Sequence, residues 1–121
     1  MSRAEPPSRG DIVKMNFDPG IGHEQAGFRP AVVISHTIYN RNSSTIVVCP
    51  ITGNVGAWPF KVELPAGLPI KGAVLVDQIK TVDWRSRRAR FACTCPSDIL
   101  DEIDMRLDVL FRGISPVAVI G

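Results

Sequence analysis

Residues 96–111, PSDILDEIDMRLDVLF, are where the hydrophobic period of the chain changes from two to about 3.6. Ser97 as N-cap and Asp98 in the first turn are both favourable at a helix start. Apolar side chains then recur at three- and four-residue steps, as on one face of a helix: Ile99, Leu100, Ile103, Leu107, Leu110 and Phe111. We therefore predict a C-terminal helix over about residues 97–111.

The chain before this helix consists of short, strand-like segments divided by turn residues. They are DIVKMNF (11–17), AVVIS (31–35), TIVVCPI (45–51), PFKVEL (59–64), GAVLVDQIKTV (72–82) and ARFACTC (89–95). No helical pattern separates them, which excludes a parallel doubly wound sheet. A mostly β protein, a small antiparallel barrel or half-barrel with the helix against it, fits best. Pro50 requires an edge position or a bulge in the third segment.

The length of 121 residues suits one domain. We expect a flexible N-terminal tail over residues 1–8 and a single domain over residues 9–121, whose last ten residues are a candidate dimer contact. The start of the chain lacks the apolar core of a signal peptide, and no apolar run approaches the roughly 18 residues of a membrane span. A cytoplasmic protein with no membrane partner is expected.

The three cysteines predict buried thiols. Cys49 is alone, and Cys93 and Cys95 point to one face of a probable strand. An odd count without further ligands nearby favours small buried side chains in a reducing compartment over disulfides or a metal site. We expect no metal and no cofactor.

A basic stretch, KTVDWRSRRARF (80–91), places five cations around Trp84, with Asp83 the only acid. One interpretation is a solvated hairpin tip. The other is a patch that follows phosphates, since cations that release counterions supply non-specific affinity for nucleic acids. The net charge of +2 does not decide between them.

Known catalytic motifs are absent: there is no Gly-rich phosphate loop, H-E-x-x-H or G-x-S-x-G. An imidazole pair would have to combine His23 with His36, which are distant in sequence. Arg29 is placed unusually, because the residue before a proline is restricted to extended conformations. It is therefore held at the mouth of a strand, next to the loop that contains Glu24.

Further polar residues lie at probable strand ends or interrupt a strand. Thr52 follows VVCPI, and Asp77, Gln78 and Lys80 interrupt the apolar segment 72–82. In a regular strand, Gln78 and Lys80 share one face and Asp77 lies on the other. An Asp on an apolar face must find hydrogen-bond donors if it is buried.

Six segments resemble, in order, the pattern of the MazF/PemK toxins of bacterial type II toxin–antitoxin modules: GDIVKMNFDP, GHEQAGFRPAVVIS, YN, VVCPIT, WPFKVEL and GAVLVDQIKTVDWR. The resemblance covers roughly residues 9–111. It implies an SH3-like small barrel of the MazF/CcdB type with a C-terminal helix, working as a homodimer. It also implies a sequence-specific, metal-independent endoribonuclease acting on single-stranded RNA. In the family, the ribose 2′-hydroxyl attacks phosphorus and leaves 2′,3′-cyclic phosphate and 5′-hydroxyl ends, and the C-terminal segment of a cognate antitoxin occupies the RNA groove.

By the same resemblance, Arg29, Thr52 and Glu24 match residues that the family uses in catalysis. Asp77 matches a carboxylate that some relatives use in catalysis. Those relatives carry an arginine two residues earlier, where this chain has Leu75. Asp77 is therefore either catalytic or structural.

Phe17, Gln78 and Lys80 lie where relatives contact RNA. Phe17 could stack an unpaired base or simply belong to the core. Guanidinium stays protonated at neutral pH, so Glu24 or His23 would have to accept the 2′ proton. Two other functions remain open: a toxin on the same barrel that binds DNA gyrase, as the related CcdB proteins do, and a non-catalytic RNA- or protein-binding barrel.

Overall fold

The computed structural model describes residues 5–24, 26–54 and 56–113. Within them, seven strands and three helical segments follow one another: β1 (Asp11–Asn16), β2 (Phe28–Val33), α1 (Thr37–Asn42), β3 (Thr45–Thr52), β4 (Lys61–Glu63), β5 (Ala73–Leu75), a 3₁₀ helix (Val76–Gln78), β6 (Lys80–Asp83), β7 (Arg90–Thr94) and α2 (Ser97–Arg112). All of the strand pairs are antiparallel. The predicted mostly β class with a C-terminal helix is confirmed.

The sheet follows the order β4-β5-β3-β2-β1-β7, and β6 pairs with β3 beside this path. β3 is the central strand, because it pairs with β2 along one edge and with both β5 and β6 along the other. The two end strands of the path, β4 and β7, do not pair with each other in the described part of the chain. The result is an open small barrel.

Two hydrophobic cores lie on opposite faces of the sheet. Ala31 and Val33 belong to one core and Val32 to the other, which explains why the middle of β2 is continuously apolar. Helix α2 packs on the core that contains Val32, with Ile103 fully buried. The predicted apolar face of this helix was too long, because Leu110 and Phe111 at its end are exposed.

The ends of α2 differ slightly from the prediction. Pro96 is the N-cap residue, without a side-chain hydrogen bond, so the N-cap assigned to Ser97 is wrong and Ser97 is the first helical residue. At the other end Gly113 adopts a left-handed conformation with φ of 70°, and its N–H donates to the Val109 carbonyl. Glycine accommodates this helix end because it has no Cβ.

The predicted single strand over residues 72–82 is wrong. The segment forms β5 and β6, which both pair with β3, and the 3₁₀ helix lies between them. Ile51 faces Val74 and Val48 faces Lys80, so only two residues of β3 lie opposite five residues of the partner segment. The partner chain must therefore bulge out of the ladder here.

Pro50 is one of the two β3 residues opposite this break. Proline has no N–H to donate to a neighbouring strand, so the loss of pairing leaves no donor of Pro50 unsatisfied. The bulge expected near Pro50 is thus confirmed, and the extra residues lie on the partner segment.

The beginning of the described chain is packed. Pro7 is buried, and its carbonyl accepts a hydrogen bond of 2.9 Å from the Asn40 side chain of α1. The packed part of the chain therefore begins before residue 9, inside the tail predicted for residues 1–8. The candidate dimer contact in the C-terminal tail falls almost entirely outside the described residues.

The thiols follow the prediction. Cys49 and Cys95 are buried and Cys93 is half-buried, and none forms a disulfide. Cys93 and Cys95 both pack into the core that contains Val32. None of the helices in the described ranges has the length and apolar character needed to cross a membrane.

Candidate active site

A cavity of about 310 Å³ opens where β5 and β6 separate. Its walls come from the loop between β1 and β2, from the second half of β3, and from the 3₁₀ helix with the two residues that follow it. The lining residues are Phe17, Glu24, Pro50, Asp77, Gln78, Ile79 and Lys80. The structure thus brings together five of the residues predicted from the sequence.

The 3₁₀ helix is what turns Asp77 toward this cavity. In a regular strand Asp77 would lie on the face opposite Gln78 and Lys80, and that expectation is wrong, since all three line the same cavity. The Trp58 indole donates a hydrogen bond of 3.1 Å from Nε1 to Asp77 Oδ2. Asp77 is exposed, so the requirement that a buried Asp find hydrogen-bond donors does not apply to it. The hydrogen bond from the Trp58 indole holds its carboxylate in place.

The opposite wall is the loop between β1 and β2. Glu24 is exposed there, and its Oε1 accepts a hydrogen bond of 3.3 Å from the Ile21 N–H. The carbonyl of His23 accepts a hydrogen bond of 3.2 Å from Gln78 Nε2, which ties the two walls together. His23 thus contributes its backbone to this contact, and Glu24 contributes a carboxylate to the cavity.

Two further contacts shape this loop. Asp18 Oδ1 accepts a hydrogen bond of 2.7 Å from the Gly27 N–H. Arg87 Nη1 donates to the carbonyls of Asn16 and Asp18, at 3.2 and 3.0 Å. The loop is thereby fixed at both of its ends.

Arg29 and Thr52 lie next to the cavity at the ends of β2 and β3. The pairing between these strands ends with Ala31 opposite Pro50, and Arg29 on β2 and Thr52 on β3 each lie two residues beyond this last pair. Because alternate residues share a face, Thr52 follows Pro50 on the side that lines the cavity. Neither Arg29 nor Thr52 belongs to the lining itself, but each lies within two residues of it along a strand: Thr52 follows Pro50, and Arg29 pairs with Met15, which precedes Phe17. We call Arg29 and Thr52 the rim residues.

The rim residues differ in exposure. Arg29 is exposed, and its Nε donates a hydrogen bond of 3.0 Å to the Ala26 carbonyl. Thr52 is 8% exposed, and its Oγ1 accepts a hydrogen bond of 3.1 Å from the Asn54 N–H. Both side chains are held by contacts to nearby backbone.

Phe17 forms the floor of the cavity. Its side chain is only 2% exposed and belongs to the core around Val13 and Met15. This burial leaves little ring surface for a stacked base in the described conformation. The RNA-contact role of Phe17 stays a prediction.

One residue of this site, Gly72, and one contact, between Trp58 and Asp77, were missed in the sequence. That contact spans a gap of 19 residues, which no local pattern reveals. Gly72 has a φ of +129°, and a Cβ built on it would lie 2.2 Å from the Thr52 carbonyl oxygen. Its position just before the apolar stretch AVLV was the available signal, since glycine next to a strand often marks a close backbone approach.

The described residues contain no group of three or more histidine, cysteine or acidic side chains that could hold a metal ion. Burial raises the pKa of Cys49 to about 12 and that of Cys95 to about 11. Both stay neutral thiols near pH 7 and make poor nucleophiles. The chemistry available is therefore that of a guanidinium, an ammonium, a hydroxyl and two carboxylates, which can bind an anionic ligand and move a proton.

Comparison with known proteins gives consistent matches. The model of a family described as PemK-like, MazF-like toxin of type II toxin–antitoxin system matches residues 8–111. The endoribonuclease toxin MazF of Escherichia coli K12 is 38% identical over 104 residues, which cover 86% of this chain and 93% of that protein. The endoribonuclease EndoA of Bacillus subtilis 168 is 32% identical over 106 residues, or 84% and 90% of the two chains.

Solved structures agree. A crystal structure of MazF from Deinococcus radiodurans matches with a TM-score of 0.85 and 41% identity, covering 92% of this chain and all of that one. A MazE–MazF crystal structure from the same organism matches with a TM-score of 0.81 and 42% identity, covering 93% and 100%.

Proposed function

Because the chain belongs to the family of PemK-like and MazF-like toxins of type II toxin–antitoxin systems, we propose that it is an endoribonuclease that cuts single-stranded RNA at a short recurring sequence. The observation that carries this proposal is the convergence of Glu24, Asp77 and Lys80 on one cavity, with Arg29 and Thr52 at its rim. The relatives named endoribonucleases support it over most of the chain.

Arg29 and Thr52 stabilise the charge that develops during cleavage. When the ribose 2′-hydroxyl attacks the adjacent phosphorus, a phosphorane with additional negative charge forms, and donors fixed in advance lower its energy most. A guanidinium has five N–H donors, so the bond from Nε to Ala26 positions Arg29 and leaves donors for phosphate oxygens. The Thr52 hydroxyl accepts from the Asn54 N–H and can donate its own proton to an oxygen of the phosphorane.

Glu24 accepts the proton of the 2′-hydroxyl. Arg29 cannot do so, because a guanidinium keeps its proton up to a pH of about 12. Of the two candidate bases, Glu24 lines the cavity, whereas the contact that His23 makes there uses its carbonyl. The departing 5′ oxygen takes up a proton, so the products are a 2′,3′-cyclic phosphate and a 5′-hydroxyl. These steps use side chains alone, and cleavage should proceed without metal.

Gln78 and Lys80 contact the RNA, and Asp77 either assists the proton transfer or positions the groups around it. Lys80 brings a positive charge to the cavity, which suits a phosphate group. Trp58 anchors the Asp77 carboxylate beside the cavity. This contact supports a role for Asp77 even though the chain has Leu75 where some relatives have an arginine. Phe17 lines the same cavity with a buried ring and forms its floor.

The partners proposed for this chain are a second copy of itself and a cognate antitoxin. The structural match to a MazE–MazF crystal structure supports the antitoxin. We place the C-terminal segment of the antitoxin in the RNA groove, where it blocks the cavity, and the complex in the cytoplasm.

The test is incubation of a long, weakly structured RNA with purified protein in excess EDTA, followed by mapping of the new ends. We expect cuts at one recurring motif with 5′-hydroxyl ends. Arg29→Ala should lower the rate by about 10²- to 10³-fold, as removal of one such donor typically does. Arg112→Ala is the matched control, since Arg112 is exposed at the end of α2 and pairs only with Asp108 among the described residues. Wild-type activity in Arg29→Ala would contradict the assigned role.

Thr52 is tested by two substitutions. Thr52→Ser keeps a hydroxyl and should keep cleavage, whereas Thr52→Val keeps the shape and should lose it, with RNA binding retained in a gel-shift assay. Loss of binding in Thr52→Val would make Thr52 a binding residue. A folded wild-type protein that binds RNA without new ends would favour a non-catalytic RNA-binding barrel, and one that leaves RNA alone would favour the gyrase-binding alternative.

A further inference from the structure

The turn between β6 and β7, which we call the basic tip (residues 84–90), lies outside the cavity. Asp83 Oδ1 accepts hydrogen bonds from the N–H groups of Arg85 and Ser86, at 3.0 and 3.1 Å. The Ala89 N–H closes the turn on the Trp84 carbonyl at 2.9 Å. The only acid of the basic stretch is therefore engaged in holding the turn.

The arginines of the basic tip fall into two groups. Arg87 is half-buried and braces the loop between β1 and β2 through its two carbonyl contacts. Arg85, Arg88 and Arg90 are exposed. The ion pairs found among the described residues, which involve Arg9, Arg106 and Arg112, all lie elsewhere. Three guanidinium charges are thus presented to solvent with no described carboxylate within 4.0 Å.

The surface around these arginines is concave. Arg85 lies over the Trp84 ring at 4.9 Å, between two hollows. One hollow, of about 560 Å³, is lined by Arg41 and Arg85, by three serines and by Asp83, whose Oδ1 already accepts two backbone N–H groups of the turn. The other, of about 240 Å³, is lined in part by Arg88 and Arg90. Each hollow combines cationic donors with room for an anionic group.

Strand β6 connects the cavity to the basic tip. Lys80 lines the cavity and begins β6, and Arg85 follows it by five positions. Even a fully extended chain of five residues spans at most about 18 Å. An RNA strand seated in the cavity therefore needs only a short extension to reach the tip.

We propose that the basic tip and Arg41 form a second phosphate-binding surface, which holds the RNA strand outside the cleavage cavity. This inference rests on the proposed ribonuclease function. The chemistry of the surface favours a polyanion, because its exposed groups at positions 85, 88 and 90 are guanidinium groups with no described carboxylate within 4.0 Å. Trp84 is only 4% exposed, and the exposed ring of Phe91 adjoins the tip at position 91.

The tip should affect the binding of RNA and leave the chemical step alone. Each phosphate contact on a single strand adds about 0.7 to the slope of log affinity against log salt concentration. Loss of two contacts should lower this slope by about 1.4 and weaken binding by about 25-fold at about 0.1 M salt. The rate constant of cleavage at saturating RNA should not change.

The experiment compares wild type with the double variant Arg85→Gln, Arg88→Gln. The control is the double variant Lys71→Gln, Arg112→Gln. It also removes two positive charges, but from exposed positions near β5 and at the end of α2. Affinity is measured by fluorescence anisotropy with a labelled 2′-O-methyl RNA of about 16 nucleotides, the upper end of site sizes for small single-strand-binding barrels. This probe lacks the proposed nucleophile and stays intact.

We expect the tip variant alone to lose affinity and salt dependence. Equal affinity and slope in wild type and the tip variant would overturn the proposal. A third variant, Arg85→Lys with Arg88→Lys, keeps the charge and should bind RNA nearly as wild type does. If it failed as badly as the glutamine variant, packing on Trp84 would explain the effect and the proposal would fall. Unchanged RNA binding with weakened antitoxin binding would assign the tip to the antitoxin instead.

The two proposals can fail separately. A wild-type protein that binds the probe through the tip but leaves natural RNA uncut would refute the ribonuclease and retain the second phosphate-binding surface. If wild type and the tip variant cleave RNA at the same rate and bind the probe with the same affinity, the ribonuclease function is retained and the second phosphate-binding surface is refuted.

Discussion

Replacing Gly72 by alanine should impair cleavage from a position outside the cavity. An added Cβ would lie 2.2 Å from the carbonyl oxygen of Thr52 and 3.0 Å from its carbonyl carbon, both of which are backbone atoms. Real Cβ atoms essentially never come closer than 3.0 Å to such a neighbour, so β3 and the start of β5 must separate by roughly 0.8 Å or more. That movement occurs at Thr52, for whose hydroxyl we propose a role in the reaction.

The size of the effect follows from this displacement. A misplacement of about 1 Å at a catalytic group typically costs about 100-fold in rate. In addition, alanine at a φ of +129° is strained, and together with the backbone clash we expect a loss of at least about 3 kcal/mol in the free energy of unfolding. Cleavage by Gly72→Ala should thus fall by about 100-fold under conditions where the variant is still folded.

Gly67→Ala is the matched control. Gly67 also has a positive φ, +97°, and precedes the same strand, but an added Cβ there meets nothing within 4 Å. It should lose about 1–2 kcal/mol from strain alone and keep its cleavage rate within a few-fold. Urea unfolding gives the stability of both variants, and cleavage is measured well below their unfolding midpoints. If folded Gly72→Ala cleaves as fast as Gly67→Ala, the backbone of Thr52 does not require this close approach and the reasoning fails.

Four further predictions concern side chains around the site and core. Trp58→Phe removes the hydrogen bond to Asp77 and should lower the cleavage rate by about 2- to 10-fold; an unchanged rate would show that this anchor is not needed. Arg87→Met should lose about 1–2 kcal/mol in urea unfolding, because the two carbonyls it braces lose a charged donor. The raised pKa values of Cys49 and Cys95 mean that these two thiols resist iodoacetamide at pH 8 in native protein and react in urea-unfolded protein, which mass spectrometry of the labelled peptides distinguishes from labelling of the half-buried Cys93. Folding raises the pKa of these two thiols above the ordinary 9.0. The stability that the neutral thiols contribute is therefore complete below about pH 9 and is lost as the pH rises toward 11 to 12. Urea unfolding at a series of pH values measures this loss.

Regular elements could be predicted from the sequence because their patterns repeat. The helix period of residues 97–111 gave α2 to within a residue or two, and the continuous apolar stretch in β2 matched burial on both faces. Helix α1 was missed, since its six residues are too few to show a period. Its start is marked by His36, whose Nδ1 accepts a hydrogen bond from the Ile38 N–H and so caps the helix without one of the usual N-cap residues.

The site was predictable in identity more than in geometry. The family resemblance named the residues, but period two placed Asp77 on the wrong face because it assumed one unbroken strand. The break depends on which strands flank β3, a property of the tertiary fold that a local pattern does not contain. Gly72 and the contact between Trp58 and Asp77 were missed for the same reason, since both depend on distant segments coming together.

One irregularity links the fold to the site. A strand that continued regularly from Leu75 to Lys80 would pair with β3 throughout and would send alternate side chains to opposite faces. The segment between β5 and β6 has five residues opposite Cys49 and Pro50, which is three more than a regular ladder holds. Pro50 also has no N–H that could bond to this segment. The chain therefore leaves the ladder, which opens the cavity and turns Asp77 and Gln78 toward it together. The segment 72–82 has the local pattern of one strand, and the fold departs from that pattern at the place where we propose the chemistry. Functional sites commonly show such departures.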